Sequence, residues 1–596
     1  MSRPDTIPRC PTDVDACIAR SARLYRQGKI REALDAVIQG LGSNPDNADL
    51  LNHRGVFAAR LGDPAAAEAS YRRAILVKPD SIETHYNLAN LLRAQQRPAE
   101  AEAAYLHALT IKPDYVEAWS NLGNLLQAQN RPLDAEIAYR RAISVKPDFP
   151  DIWSNLGNLM QAQSRPQEAE DAYRRAVALK PDYAEAWSNL GVLLKAQKRM
   201  AEAEASYRRA VALRPGYAEA WSNLGVLLLE QKRLEEAETA CCRAVEVAPD
   251  YADGWSNLGN LLQAKKCLQQ AETAYRRAIA ARPDCADAHW NISLLLLKQG
   301  RLAEGWREQE ARYDPRRKNR KMSPPPVSPG SSALPPQWWG EPLKDCSLLV
   351  WPEQGLGDEI QFVRYLPLLK VRGLKHLTLV CKPPLKTLFA AQGLADSVIG
   401  TDDWYPQMIA GHDFWCYPLS LPLHFGTSLE NIPAPVPYLK AEPDRMARWA
   451  KRLPQATLRI GLVWKGSPTH RNDANRSLPS LTTLTPLWSV PDIAFVSLQK
   501  GAGEDEASAP PASQPLIHLG GEMADFADAA AILSQLDLLI CVDTAAAHLA
   551  SLEDLPLWGR GLVLLATAAV LAATLAATVR AATPDRLLPF TLWLTT

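Results

Sequence analysis

The sequence predicts an α-helical solenoid followed by two α/β units with parallel sheets, the second of them incomplete. Three observations lead there. A Pro-Asp or Pro-Gly signal recurs every 34 residues, at Pro79, Pro113, Pro147, Pro181, Pro215, Pro249 and Pro283. A Trp-Ser-Asn-Leu-Gly block keeps step with it, starting at Trp119, Trp153, Trp187, Trp221 and Trp255. From Cys346 onward the pattern switches to short apolar runs alternating with helical stretches. A single period cannot bury its own apolar face, so stacked periods must share one continuous core. Strands alternating with helices imply parallel sheets.

Each period reads as two helices. Trp119, Leu122, Gly123 and Leu126 recur at helical spacing, and Ala135, Tyr139 and Ala142 do so on a second stretch. Pro132 falls in the first turn of that second helix, where its missing N–H costs nothing. Pro147 closes the pair, and Asp148 is expected to cap the next helix. Gly123, Ala135 and Ala142 let the two helices approach, while Trp119 and Tyr139 are expected to fill the gaps between units. The pattern resembles the tetratricopeptide repeat over residues 14–312. At the ends it degrades, with Leu51, His85 and His289 in the place of Trp, as capping copies do. Such a superhelix is suited to an extended polypeptide partner.

One polar position repeats with the helices: Asn87, Asn121, Asn155, Asn189, Asn223, Asn257 and Asn291. Stacking sets these amides in a line on or near the inner face, where each offers a donor and an acceptor to a peptide backbone. The row resembles the asparagine ladder of the O-GlcNAc transferase group. Alternatively, each amide satisfies a local backbone group between repeats.

Composition fits two or three domains in 596 residues. Lys plus Arg and Asp plus Glu number 66 each, so overall charge draws the chain neither to nucleic acid nor to an anionic membrane. The ten cysteines lack paired CxxC spacing and read as reduced and structural. Cys241 and Cys242 replace the Tyr207-Arg208 of the preceding period. Residues 1–10 lack the apolar core of a signal peptide, so the cytoplasm is the expected location.

Residues 313–336 form a connection, with a basic run from Arg316 to Lys321 and a Pro-rich stretch from Ser323 to Pro336. The basic run reads first as a solvated linker. A first lobe is expected over 337–453, with strands at Ser347–Trp351 and Leu377–Cys381. A helical stretch follows Gln354–Glu359 through Leu369, and another covers Pro384–Gln392. The second lobe, 454–558, should carry strands at Arg459–Trp464, Ile493–Leu498 and Leu538–Val542, with a helix at Ala524–Leu536. Two such lobes leave a cleft between them, where ligands of these folds sit.

Four segments then gain meaning together: Gln354–Phe362, Gly461–Ser467 with His470–Ser477, Ser497–Lys500 and Val542–Ala550. Their order and spacing resemble bacterial proteins that join these repeats to a heptosyltransferase-like domain of glycosyltransferase family 9, and more distantly the O-GlcNAc transferase group. The resemblance covers residues 336–558 and implies the two-domain GT-B architecture. It also implies a nucleotide diphosphate-sugar donor held on the second lobe and acceptor contacts from the first, with no metal and no cofactor. Helix N-termini and basic side chains stabilise the leaving diphosphate in such enzymes. Thr544, Ala545 and Ala546 are expected to open a helix and offer N–H groups, with Asp543 capping that turn. Lys465, Gly466, Arg476 and Lys500 are the remaining donor-side candidates; each cation reads equally as a surface loop charge. Asp358 is implied as the catalytic base, or else as an N-cap. His548 and His470 are lesser candidates, a His at a helix start being as often structural.

After Ala550 the expected family pattern, including an Asp-Trp-Arg-Trp region and a closing helix, continues only to Leu557-Trp558. Residues 559–596 form an aberrant apolar tail, uncharged from Gly561 to Val579, which reads as a frame shift or truncation. Its length also suits a membrane span, but its Ala and Thr content argues against one. The sequence thus supports two functions. One is a metal-independent glycosyltransferase, if the donor lobe is functional, acting on an acceptor presented by the superhelix. The other is a protein-interaction scaffold with an inactive glycosyltransferase-like domain.

Overall fold

The computed structural model describes residues 14–314, 324–326, 334–433, 438–456, 458–469, 473, 477–542, 544–550 and 557–558. The basic run from Arg316 to Lys321, part of the Pro-rich stretch, His470, Arg476, Asp543 and the 559–596 tail lie outside these residues. The chain divides into two compact units, Met1–Cys267 and Leu268–Thr596.

The first unit is a stack of helical pairs. In the period containing Trp119, helix A runs Val116–Ala128 and helix B runs Pro132–Val145, with Pro132 in the first turn. The next helix opens at Pro150 behind Phe149, which makes no side-chain cap bond. Asp148 therefore does not cap it; the proline, lacking an N–H, removes part of the need. Gly123 and Tyr139 form the contact inside a pair. A Cβ on Gly123 would lie 2.6 Å from the Tyr139 ring, and the same contact recurs at Gly157 with Tyr173, also at 2.6 Å. Tyr139 thus fills space within its own repeat rather than between repeats, because the glycine leaves a slot for its ring. Trp does span the joint. Trp153 and Trp187 pack on buried Ala176, Val177 and Ala186, which come from two consecutive repeats. The indole N–H also donates to the proline carbonyl six residues earlier, at 2.8 Å for Trp119 and Trp153. His85 reproduces that bond to Pro79 at 2.9 Å.

The turn between helices A and B is left-handed in every copy. Gln96, Asn130, Ser164, Lys198, Lys232 and Lys266 have φ between 58° and 66°, while Gly28 and Gly62 fill the same place in the first two copies. Behind Gln96, the Arg97 N–H bonds to the Leu92 carbonyl at 3.0 Å and the Gln96 N–H to Arg93 at 3.1 Å, the pairing of a Schellman motif.

Rings of charge link neighbouring repeats. Arg165 reaches Glu136 of the preceding repeat at 2.6 Å and Glu168 of its own at 2.6 Å, and Arg140 bonds to both carboxylates at 2.8 and 3.1 Å. The ring recurs around Arg97, Arg199 and Arg233. One period after Arg208 and Arg233 the two arginine positions hold Cys242 and Cys267, and Lys265 alone takes Glu238.

The second unit begins with the helices Leu268–Ala281, Ala286–Lys298 and Leu302–Gln309, closed by a 3-10 turn at Glu310–Tyr313. In it His289 donates to the Pro283 carbonyl at 2.8 Å and pairs through its other nitrogen with Glu308. Both neighbours are acceptors, so the imidazolium suits the position, and Glu308 raises its pKa.

Two parallel sheets follow. The first contains β1 (Ser347–Val350), β2 (His376–Cys381), β3 (Ser397–Gly400) and β4 (Phe414–Cys416), in the order β3-β2-β1-β4. The second contains β5 (Leu458–Val463), β6 (Ile493–Ser497), β7 (Ile517–His518), β8 (Leu538–Cys541) and β9 (Leu557–Trp558), in the order β7-β6-β5-β8-β9. Both follow the doubly wound order, with the direction of winding reversing beside β1 and β5. Their inner positions are mostly apolar, with Leu348, Leu377, Leu462, Val496 and Leu539 all buried, although β2 also buries Thr378 and β6 Ser497. The expected helix through Leu369 is broken into Leu356–Phe362, a 3-10 turn and Leu366–Val371, with Pro367 in the first turn of the last. The expected helix over Ala524–Leu536 is shorter, Phe526–Leu533, capped by Asp525.

Candidate functional site

The asparagine row is half-buried along its whole length. Asn155 donates to the Asn124 side-chain oxygen of the preceding repeat at 3.1 Å, and that oxygen also accepts the Tyr139 hydroxyl at 2.7 Å. Asn189 and Tyr173 meet at Asn158 in the same way, at 3.0 and 2.7 Å. Asn121 donates to Asn90 at 3.1 Å and Asn87 to Asn52 at 3.1 Å. These amides thus join repeats through side chains, not through the backbone groups expected as the local alternative. The second asparagine of each pair is the feature that sequence reading missed, although Asn90, Asn124 and Asn158 repeat as regularly as the first. Val192 and Val226 replace it in the next two periods. There Asn257 turns to the Ser222 hydroxyl at 2.8 Å, and the Asn223 side chain makes no hydrogen bond to any described residue. Asn291 is bonded.

In the second unit a cavity of about 460 Å³ opens at the carboxyl ends of β5, β6 and β8, a size within the usual range for small-molecule sites. Lys465, Gly466, Lys500, Thr544, Ala545 and Ala546 all line it. Its wall is otherwise mostly apolar, from Val463, Leu498, Met523, Phe526 and Leu533. Gln499 is buried and builds the floor: its side-chain oxygen accepts from the Trp464 and Lys465 N–H groups at 2.9 and 3.1 Å. Neither lysine is idle. Lys465 pairs with Glu506, and the Lys500 ammonium donates to the Met523 carbonyl. The Thr544 hydroxyl oxygen is enclosed without a hydrogen-bond partner among the described residues, and the helix begins one residue later, at Ala545. Arg476 and Asp543 lie outside the described residues.

Asp358 and His548 are not among the residues that line this cavity, and the helices that carry them pack against each other. A Cβ on Gly357 would come within 2.5 Å of the His548 ring, so glycine alone admits this imidazole. Asp358 occupies the third position of its helix, not the N-cap, which is Gly355; its carboxylate accepts from the Gly355 N–H at 2.9 Å. Gln354, just before, has φ +61°, a costly conformation for a residue with a side chain. Two buried carboxylates flank the loop. Glu359 accepts from the Lys382 N–H at 3.1 Å and pairs with its ammonium at 3.0 Å. Burial pushes its carboxyl up while Lys382 opposes the rise. Glu353 is held by Arg312, a contact no sequence signal announced because the two residues are far apart in the chain. Among the described residues no group of three His, Cys, Asp or Glu side chains converges as a metal ligand set. No described helix is long and apolar enough to cross a membrane.

The repeating pairs, with their glycine–tyrosine contact and left-handed turn, define a tetratricopeptide solenoid. Family models agree: tetratricopeptide repeat models match residues 19–82 and 82–115. That of the cilia and flagella-associated protein 70 C-terminal domain matches residues 110–313. Among curated proteins the chain is similar to protein FlbA of Caulobacter vibrioides, 26% identical over 288 residues, or 44% of this chain and 46% of FlbA. The chain thus spans about half the length of that relative. Among solved structures it is similar to the APC/C hetero-tetramer Cut9-Hcn1, at 17% identity and TM-score 0.35, over 49% of this chain and 57% of that one. It is also similar to YrrB, described as a tetratricopeptide repeat protein with an unusual peptide-binding site. That match has 24% identity and TM-score 0.28, over 34% of this chain and all of YrrB.

Proposed function

We propose that this protein binds an extended polypeptide along its repeats and transfers a sugar to an acceptor from a nucleotide diphosphate-sugar, in a GT-B-type site formed by the two sheets. The carrying observation is the cavity at the ends of β5, β6 and β8, where Lys465, Gly466, Lys500 and Thr544–Ala546 gather from separate stretches of chain. It lies beside the strand at which the winding reverses, the usual ligand position in doubly wound sheets. An apolar wall suits a nucleobase, and two ammonium groups suit a diphosphate. Asp358, on the loop that faces His548, is the base in this reading.

A second reading is favoured by the same lysines: a repeat scaffold whose glycosyltransferase-like domain does not turn over. Lys465 is committed to Glu506 and Lys500 to a backbone carbonyl, so a diphosphate has to displace both contacts. Thermal unfolding with UDP, GDP and ADP tests the proposal. Any nucleotide present at 100 times its Kd stabilises the fold by about 2.7 kcal/mol; Lys465→Met should abolish the shift. No shift with any of the three refutes the donor site. A shift without sugar transfer to protein or saccharide leaves the scaffold.

A further inference from the structure

We propose that Arg312, at the end of the last repeat, is a positioning residue that holds the Glu353–Asp358 loop in place, so that the terminal repeat and the loop behave as one body. The inference rests on the reading of that loop as the acceptor side of the transfer site. Arg312 has no exposed surface. Its guanidinium bonds to both oxygens of buried Glu353, at 3.1 and 3.3 Å, to Glu310 at 2.7 Å and to the Ser420 hydroxyl at 2.9 Å. Glu353 accepts in addition from the Leu419 N–H at 2.8 Å, which anchors it to the segment after β4.

The attachment has a second point. Trp306, in the helix Leu302–Gln309, meets Phe362 edge to face with ring centres 6.1 Å apart. Phe362 ends the helix that carries Asp358. The last repeat therefore grips this segment at both ends, at Glu353 by charge and at Phe362 by aromatic packing. Tyr313 adds a stacked contact with Tyr417, centres 4.8 Å apart. Between the two grips lies the strained Gln354 at φ +61°. A strained conformation persists only where its surroundings over-determine it, and the Arg312–Glu353 pair is the anchor next to it in the chain. A bidentate guanidinium fixes the orientation of a carboxylate as well as its place, which an ammonium does not.

Hydrogen exchange of the full-length chain, followed by mass spectrometry, tests this. Removing Arg312 alone leaves a buried, unpaired carboxylate that can unfold the protein. The decisive variant is therefore Arg312→Met/Glu353→Leu, which replaces the pair by apolar groups of similar volume. We expect it to stay folded, and the amides of residues 354–359 to exchange about tenfold faster. Amides of β6 should keep their rates. Arg312→Lys, which keeps the charge but not the bidentate fork, should lose part of the protection at 354–359. Unchanged exchange at 354–359 in the folded double variant overturns the proposal. Failure of UDP, GDP and ADP to bind the parent instead removes the transferase reading, and the loop exchange still decides whether Arg312 positions the loop.

Discussion

At the scale of single residues, two asparagines of the same row play different parts. Asn155 ties its repeat to Asn124 and Tyr139, whereas Asn223 faces the position filled by Val192 and makes no such bond. Asn155→Ala should therefore cost about 1 kcal/mol, the usual worth of a half-buried hydrogen bond. Asn223→Ala should stay within about 0.5 kcal/mol. Urea midpoints of the two variants check this; equal losses would show that the side-chain bond carries nothing. The row itself was legible in the sequence, because a repeated residue at a fixed spacing must occupy a repeated environment. Which partner each amide takes was not, since it depends on a residue 31 positions away in the neighbouring repeat. Among the residues that line the cavity, the lysines and the Thr544–Ala546 turn stand out in the sequence as an ordered set of motifs. Arg312 and Glu353 do not, because neither stands in a repeated or recognisable pattern.

At the scale of elements, the turn between helices A and B carries a cost that the first two copies avoid. Gly28 and Gly62 adopt the left-handed conformation freely, while Ser164 at φ +59° does so against its own Cβ. Ser164→Gly should raise stability by about 0.5–1 kcal/mol, the relief of strain exceeding the added freedom of the unfolded chain. A lower urea midpoint for this variant would mean that the serine side chain makes a compensating contact. This turn went unread in the sequence because residues with side chains hide the signal that glycine gives. Helix positions, by contrast, followed from the period alone, and Pro132 marked a helix start correctly. The strand positions of β1, β2, β5, β6 and β8 were legible as apolar runs. Strands β3, β4 and β7 were missed: β4 and β7 are three and two residues long, too few for periodicity to register, and β3, Ser397–Gly400, is no apolar run, with Ser and Gly at its ends.

At the scale of the whole molecule, neutrality in net charge conceals strong local pairing. In the ring around Arg165, the Arg165 guanidinium holds the Glu136 carboxyl below its usual range, and Arg140 adds to the effect against the opposing influence of burial. A carboxylate with a lowered folded pKa stabilises fully above its unfolded pKa, about 4.3. That stabilisation disappears as pH falls through the folded value. Helicity measured against urea should therefore give a falling midpoint below about pH 4. Arg165→Gln should flatten part of that fall. A parent midpoint that does not move between pH 5 and 3 would show that the rings contribute nothing.

The bonds that cross each joint connect positions at fixed offsets: 29 residues for Arg165 with Glu136, and 31 for Asn155 with Asn124. Among the copies that keep these residues, a recombination event that copies or excises 34 residues therefore hands each donor an equivalent acceptor. The stack can grow or shrink by a whole step in its genetic history with no compensating substitution, whereas a step of any other size severs every joint it touches.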